Sequence, residues 1–166
     1  MKMKIKIPLR YLPSKLTRKD KQKQLKMLLK SRKLYKKNKY YTRKVVPSFT
    51  SKVSPHILDA RKIYGLEHIT PNIRLARKTG CSVAALKKIV QKGEGAYYSS
   101  GSRPNQTAQS WGIARLASSV TGGKAAAVDY TILDRGCDHS KKAFVLAEKA
   151  KKLYHHGQGQ TKKVRI

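Results

Sequence analysis

Acidic side chains are scarce in this sequence, which has 8 Asp and Glu against 39 Lys and Arg and a formal net charge of +31 over 166 residues. Paired-carboxylate catalysis needs two acids held close together, but these acids are scattered singly along the chain. The Gly-Lys-Ser/Thr element of a phosphate-binding P-loop is also missing, so nucleotide hydrolysis is not expected. We therefore expect a protein that is not an enzyme and that uses no cofactor.

Long apolar runs are missing as well. No stretch approaches the roughly 20 apolar residues that a membrane-spanning helix needs, and the lysine-rich N-terminus lacks the apolar centre of a signal peptide. The two cysteines, Cys81 and Cys137, are far apart in sequence, which favours free thiols in a reducing compartment and leaves a disulfide open. Neither these cysteines nor the histidines have the spacing of metal ligands, so no metal site is expected.

The surplus of positive charge indicates the kind of partner. Phosphate backbones are the commonest partner of such a surface, because each neutralised phosphate releases counterions; an anionic membrane surface is the second candidate. Residues 1–52 hold 19 basic residues and a single acid, Asp20, whereas residues 53–166 hold 20 basic and 7 acidic residues. This asymmetry predicts a basic N-terminal arm over residues 1–53 and a core in the remainder.

The predicted arm contains one helix and a group of tyrosines. Thr17 and Asp20 have the spacing of a helix cap, which predicts a helix from about residue 18 to 37 that docks through a thin leucine stripe. The tyrosines among the cations that follow can stack on bases while the cations bind phosphates, or can anchor the arm to its own core. Residues 42–54 are predicted to be an extended linker, with Pro47 excluding a central strand position.

The rest of the chain has the punctuation of helices, and no alternating strand pattern of useful length appears. The fold class expected is mainly α: a small helical bundle over residues 54–138, followed by a C-terminal helix and basic tail over 139–166. Caps and glycines predict helices at 55–64, 70–79, 82–93, 107–120, 124–133 and 140–154, with a Gly/Ser-rich loop at 93–106.

Two of these helices have the spacing of a helix-turn-helix. Ala76 permits close helix approach, Gly80 supplies the turn, and Leu86 and Ile89 pack the second helix on the first. This arrangement would offer one side of the second helix to a major groove, namely Ser82, Val83, Lys87, Lys88, Gln91 and Lys92. A plain helical hairpin needs the same packing residues, so the spacing favours the hairpin more than groove recognition.

The Gly/Ser-rich loop combines glycines, hydroxyls, Arg103 and the start of a helix near Thr107, which are the materials of an anion site. A structural loop that buries Tyr97, Tyr98 and Trp111 is the alternative. The candidate contacts to nucleic acid or to an acidic partner are therefore Lys33, Tyr35, Lys36, Lys37, Tyr40, Tyr41, Arg43, Lys44, Ser82, Lys87, Lys88, Gln91, Lys92 and Arg103.

Several segments resemble an uncharacterised domain family of large double-stranded DNA viruses, including those of algae and amoebae, and of some phages. The most specific is Gly95-Ala-Tyr-Tyr-Ser-Ser-Gly-Ser-Arg-Pro-Asn-Gln106, and others are Tyr11-Leu-Pro-Ser-Lys-Leu-Thr17 and Gly122-Gly-Lys-Ala-Ala-Ala-Val-Asp129. The resemblance covers most of residues 8–138 and carries no known activity or catalytic residue. It implies a component of a large viral particle, such as a minor capsid protein under the outer shell.

Two functions follow as expectations. The first is a virion structural protein, a minor capsid or inner-shell component whose basic arm ties neighbouring capsid proteins together. The alternative is a DNA-binding or genome-condensing virion protein that uses the arm and the hairpin, with viral double-stranded DNA as partner. Contact with the surface of an inner membrane is left open. Either role implies the inner side of the capsid, after synthesis in the host cytoplasm or nucleus.

Overall fold

The computed structural model describes residues 5–158 and 161–166. The described chain is mainly helical, as the sequence predicts, with eight α-helices, two short strands and two 3₁₀ turns, Leu9–Tyr11 and His155–Gly157. The helices are α1 Arg18–Tyr35, α2 Pro55–Tyr64, α3 Ile73–Thr79, α4 Val83–Ser99, α5 Ala108–Val120, α6 Lys124–Val128, α7 Tyr130–Gly136 and α8 Lys142–Leu153. None of these helices is long and apolar enough to cross a bilayer.

The chain divides into two compact units. The first, called the basic unit, comprises Met1–Lys52, Gly95–Ala108 and Gln160–Ile166. The second, called the helical unit, comprises Val53–Glu94 and Gln109–Gly159. This division differs from the linear one that charge predicts, because segments from both ends and the middle of the chain form the basic unit.

Residues 5–52 are folded within the basic unit. Strand β1, Lys6–Pro8, pairs antiparallel with strand β2, Lys163–Arg165, so that Ile7 lies opposite Val164. Neither strand is predicted from the sequence, because each is three residues long and has no local pairing partner. The expectation of an arm with almost no core of its own is also wrong. The segment contributes buried apolar side chains, including Ile7, Leu12, Leu16, Leu28 and Val46.

Residues 42–49 are not the linker that the sequence predicts. Val46 is fully buried, and its backbone N–H donates to Asn105 Oδ1 at 2.8 Å. The amide nitrogen of Asn105 donates to the carbonyl oxygens of Val46, at 3.2 Å, and of Phe49, at 2.6 Å. One asparagine side chain therefore holds the extended segment against residues 95–108, a partner that lies far away in sequence.

Local capping signals predict the helix starts well. Helix α1 starts at Arg18 as predicted, and Thr17 Oγ1 accepts from the Asp20 N–H at 3.2 Å. The Asp20 carboxylate accepts from the Ser48 N–H at 2.8 Å rather than from the backbone of Thr17. Helix α2 starts after its predicted cap, Ser54, and ends at the left-handed Gly65.

Helix α3 starts at Ile73, later than predicted, because Asn72 is its cap: Asn72 Oδ1 accepts from the Leu75 N–H at 3.0 Å. It ends at Gly80, whose left-handed φ of 78° supplies the expected turn. Leu75, Leu86 and Ile89 all lie in the buried core of the helical unit.

The predicted loop at 93–106 is wrong over its first half, since α4 continues to Ser99. Gly93 does not end the helix. A Cβ atom built on Gly93 would lie 2.6 Å from the Cα of Gly112 in α5, so both glycines permit a close approach of two helices. The irregular segment is confined to residues 100–107.

The helix predicted at 124–133 is two helices, α6 and α7, with the break at Asp129. The Asp129 backbone lies outside the helical region, at φ −97° and ψ 19°. Its buried carboxylate accepts hydrogen bonds from Arg115, in α5, and from Lys92, in α4. This tertiary ion pair has no signature in the sequence around residue 129.

The two cysteines form a disulfide, so the expectation of free thiols is wrong. Cys81 and Cys137 lie opposite each other in an isolated antiparallel bridge of the helical unit. The Asp138 N–H donates to the Gly80 carbonyl at 2.7 Å, and the Ser82 N–H donates to the Gly136 carbonyl at 2.8 Å. These flanking bonds join the α3–α4 turn to the end of α7.

Candidate polyanion interface

The positive charge is concentrated in the basic unit. It holds 23 Lys and Arg and a single acidic side chain, Asp20, which amounts to a net +22 from side chains. The larger helical unit holds 16 basic and 7 acidic residues, a net +9. Most of the positive charge that the sequence predicts for an arm therefore belongs to a folded unit.

Asp20 does little to offset this charge at the surface. It is only 7% exposed, and its carboxylate accepts the Ser48 N–H. Hydrogen bonds from Ser48 hold the pKa of Asp20 below its usual value, with a smaller contribution from the charge of Lys23. The carboxylate is thus committed to an internal structural contact.

Five lysines lie along one side of α1. Their spacing alternates between four and three residues, which keeps them on a single helical face. We call this set the lysine stripe: Lys19, Lys23, Lys26, Lys30 and Lys33, all of them exposed. At 1.5 Å per residue the stripe runs for about 21 Å. Four of its members line a shallow groove together with Met27 and Tyr41.

Two lysines of the stripe are oriented by contacts within the basic unit. Lys23 Nζ donates to the Val45 carbonyl at 3.2 Å, and Lys30 Nζ lies 4.5 Å from the centre of the Tyr41 ring. In the described part of the chain, no lysine of the stripe lies within ion-pair distance of a carboxylate. No salt bridge among the described residues therefore neutralises a lysine of the stripe.

The opposite face of α1 fixes the direction in which the stripe points. Gln24 and Ser31 are each 1% exposed, and Leu28 is fully buried. Gln24 Nε2 donates to the Tyr11 carbonyl at 3.3 Å, and Ser31 Oγ donates to the Tyr98 carbonyl at 3.0 Å. Polar anchors at defined positions prevent the helix from turning its lysines inward.

Arg43, a predicted surface contact, is buried and serves the fold. Its Nη1 donates to Ser31 Oγ at 3.0 Å and to the Tyr97 carbonyl at 2.8 Å, and its Nη2 donates to Ser102 Oγ at 2.8 Å. Burial lowers the pKa of the guanidinium below its usual value. Arg43 is only 7% exposed and is therefore not available to a partner, which corrects its place among the candidate contacts.

Tyr40 and Tyr41 differ in exposure, which bears on the two alternatives that the sequence left open. Tyr41 is partly buried and packs on the cluster of Leu16, Met27 and Val46, so it anchors the segment. Tyr40 is 70% exposed, and its ring centre lies 6.2 Å from that of Tyr35 and 5.1 Å from that of Tyr98. Tyr40 therefore offers an exposed ring supported by neighbouring rings.

Eight of the remaining candidates are exposed and therefore accessible: Lys36, Lys37, Lys44, Ser82, Lys87, Lys88, Gln91 and Arg103. Lys92 is also exposed, but its ammonium lies 2.9 Å from Asp129 and so has an internal partner. In the basic unit, Arg103 lines a groove together with Lys15 and Lys162.

Sequence reasoning missed most of the stripe, naming only Lys33, although the signal was available. Lysines repeated at alternating intervals of four and three within a predicted helix indicate one charged face. It also missed Lys15 and Lys162, and for these no local signal exists, because residues distant in sequence form their groove.

These features define the class of protein: it is a mainly helical protein with one strongly cationic unit. The chain belongs to the Family of unknown function (DUF5824), which it matches over residues 8–142, more than half of its length. No curated protein and no solved structure matches it.

Proposed function

We propose that the protein is a non-catalytic polyanion-binding protein whose basic unit binds the phosphate backbone of double-stranded DNA. The lysine stripe is the observation that carries the proposal. It presents five exposed ammonium groups in a line, on a unit with a net side-chain charge of +22 whose single acidic side chain is turned inward.

Charge spacing supports duplex nucleic acid as the polyanion. B-form DNA carries one negative charge per about 1.7 Å of axis, so the 21 Å of the stripe runs past roughly 12 phosphates on the two strands. Five lysines on one face reach only the phosphates on the near side. Binding of this type depends on charge and is expected to be independent of sequence.

The viral setting belongs to the same proposal. The segments that resemble proteins of large DNA viruses support a component of the inner side of a viral capsid. There the basic unit would neutralise genome phosphates close to the shell. A folded cationic unit fits this task without an extended arm.

The direct test is a fluorescence anisotropy titration of the full chain with a labelled 20-base-pair duplex over a range of salt concentrations. If the five lysines each neutralise one phosphate, log K should fall against log salt with a slope of about −4.5. Two duplexes of unrelated sequence should give the same affinity. An absence of duplex binding at low salt would overturn the proposal.

A second candidate is the tying of capsid proteins together, and exposed apolar side chains of the basic unit favour it. Tyr40 and Val45 are 70% and 65% exposed and lie close in sequence to cationic residues. Phosphate binding does not use the aliphatic surface of Val45, whereas an acidic protein partner would cover it. Lysine-directed cross-linking of intact particles should join Lys44 to a capsid protein; an absence of cross-links between Lys44 and any capsid protein would exclude this role.

Groove recognition by α4 is the finer version of the DNA-binding proposal. Lys87, Lys88 and Gln91 are exposed along one side of α4, and the left-handed turn at Gly80 precedes that helix. If they read bases, Lys87→Ala and Gln91→Ala should change the order of preference among duplexes. Equal losses on all sequences would mean phosphate contact alone.

A further inference from the structure

A second feature of the basic unit is a groove lined by residues other than those of the lysine stripe. Three parts of the chain form it: residues 9–15, residues 49 and 103, and residues 161–162. Its volume is about 480 Å³, which lies within the roughly 300–1,000 Å³ typical of sites for small ligands.

The polar lining of this groove is cationic. Lys15, Arg103 and Lys162 are all exposed, and none of them lies within ion-pair distance of a carboxylate among the described residues. Arg10 also lines the groove, with its guanidinium 5.3 Å from the centre of the Tyr11 ring. Asp20, the single acidic side chain of the unit, bonds to Ser48 and forms no ion pair with Lys15, Arg103 or Lys162.

Arg103 is held by rigid neighbours on both sides. Ser102 is 1% exposed and accepts from Arg43 Nη2 at 2.8 Å. On the other side, Asn105 bonds to the backbone of Val46 and of Phe49. A loop fixed in this way presents Arg103 with little further loss of backbone conformational entropy on binding.

The segment that carries Lys162 is fixed as well. The Leu9 N–H donates to the Lys162 carbonyl at 2.8 Å, and the pairing of β1 with β2 continues from there, with Pro8 opposite Lys163. The C-terminal segment, predicted to be a basic tail, therefore forms one side of the groove.

The apolar part of the lining restricts the chemistry of the ligand. Leu9, Pro13 and Phe49 lie beside the cations. An inorganic anion would use only the cations, whereas a nucleoside phosphate would place its phosphate on them and its base or sugar on the apolar surface. We propose that this groove is a binding site for a nucleoside phosphate, either a free nucleotide or the phosphorylated end of a nucleic-acid strand.

The proposal is independent of duplex binding by the stripe and is tested by isothermal titration calorimetry with adenosine 5′-monophosphate, inorganic phosphate and adenosine. The monophosphate should bind more tightly than either of the other two. Arg103→Gln should weaken its binding roughly tenfold or more, since charged hydrogen bonds are lost. Arg74→Gln removes an exposed arginine of the helical unit and should have no effect.

Lys15→Gln provides a second variant of an exposed groove residue, with an expected loss in the same direction. Equal affinities for adenosine and its monophosphate, or equal binding by the Arg103→Gln and Arg74→Gln variants, would overturn the proposal. So would a failure of the wild-type chain to bind the monophosphate. The Arg103→Gln variant should keep most of its affinity for duplex DNA, which the lysine stripe binds away from the strand ends. A failure of the groove proposal and a failure of the stripe proposal therefore give different results.

Two oligonucleotides distinguish the source of the phosphate: one single strand with a 5′-phosphate and the same strand with a 5′-hydroxyl. Tighter binding of the phosphorylated strand, lost in Arg103→Gln, supports a strand end as the natural ligand. Equal binding of the two strands, together with Arg103-dependent binding of the monophosphate, supports a free nucleotide.

Discussion

The guanidinium of Arg43 lies 3.8 Å from the centre of the Tyr97 ring, and its Nη1 donates to the carbonyl oxygen of the same tyrosine. The Tyr97 hydroxyl in turn accepts from the Arg43 N–H at 2.9 Å. These reciprocal contacts join two segments of the basic unit that are 54 residues apart in sequence. They keep the unit assembled beneath the cationic surface.

Replacing Arg43 by lysine tests this role. Lysine keeps the positive charge but cannot reach Ser31, Tyr97 and Ser102 simultaneously or stack a planar group on the ring. We expect the free energy of unfolding to fall by about 2 kcal/mol, measured by denaturant unfolding. Arg74→Lys, an exposed site in the helical unit, is the control and should change it by less than about 0.5 kcal/mol. An unchanged stability in Arg43→Lys would contradict the structural role.

The lysine stripe is tested by a triple variant, Lys19→Gln, Lys26→Gln and Lys33→Gln, which avoids the two lysines that contact Val45 and Tyr41. Three phosphate contacts should be lost, so the slope of log K against log salt should decrease in magnitude by about 2.7. The measurement is the anisotropy titration with duplex DNA.

The control for the stripe variant removes the same amount of charge from exposed lysines of the helical unit: Lys78→Gln, Lys142→Gln and Lys149→Gln. If net charge alone governs binding, the two triple variants will behave alike, and the stripe then has no special role. A larger loss in the stripe variant supports the interface described above.

Asp129 predicts a dependence of stability on pH. Burial opposes its ionisation, but Arg115 and Lys92 outweigh this effect, and the pKa of Asp129 lies below its usual value. The folded state therefore binds its proton less readily than the unfolded state does. The resulting stability is present above about pH 4, near the unfolded pKa, and is lost as pH falls through the folded pKa.

Asp129→Asn should consequently lower the free energy of unfolding at pH 7 by about 3 kcal/mol, because two cations lose their partner. The difference from the wild type should shrink as the pH is lowered below 4. Urea unfolding at several pH values measures both effects, and Asp59→Asn is an exposed control. A difference that is constant with pH would show that Asp129 does not contribute through its charge.

Substitution by alanine should have opposite effects on stability at two glycines of the chain. A Cβ atom on Gly112 would lie 2.6 Å from the Val90 carbonyl oxygen, a backbone atom that cannot yield easily, so Gly112→Ala should cost about 2 kcal/mol. Gly95 lies within α4, where the nearest atom would be the Tyr35 hydroxyl at 3.8 Å. Gly95→Ala should therefore stabilise by about 0.5–1 kcal/mol. Thermal unfolding of both variants checks the sign of each effect.

Reduction of the disulfide should destabilise the helical unit. Cys81 and Cys137 close a loop with a sequence separation of 56, for which the chain-entropy model gives about 4 kcal/mol. Unfolding of the wild type should become easier in dithiothreitol, whereas the double variant Cys81→Ser and Cys137→Ser should not respond to it. Two titratable thiols in the folded, unreduced protein would rule out the bridge.

Helix starts were predictable because the interactions that set them lie within a few residues. Thr17 and Ser54 accept from N–H groups inside the first turns of their own helices, and Gly65 and Gly80 adopt left-handed conformations at helix ends. A local motif contains both partners of each of these contacts. The excess of basic side chains likewise requires no knowledge of the fold.

The errors occurred where the partner is distant. Gly93 has the local appearance of a helix end, yet its function is to admit Gly112 of another helix. In the sequence, Arg43 resembles the exposed cations around it. Its burial is evident only from its contacts with Tyr97 and Ser102 in the structure. The groove of Lys15, Arg103 and Lys162 exists only when both ends of the chain meet.

The sequence by itself determined the helical fold class, most helix starts, and a surplus of positive charge that calls for an anionic partner. Only the tertiary structure decided where that charge lies: in a folded unit with its acid inward, with one arginine buried and with lysines aligned along α1. It also decided the disulfide and the pairing of the strands. The physical reason is the sequence separation of the interacting residues. Caps and charge counts depend on neighbouring residues, whereas burial, close helix approach and groove formation depend on residues far apart in the chain.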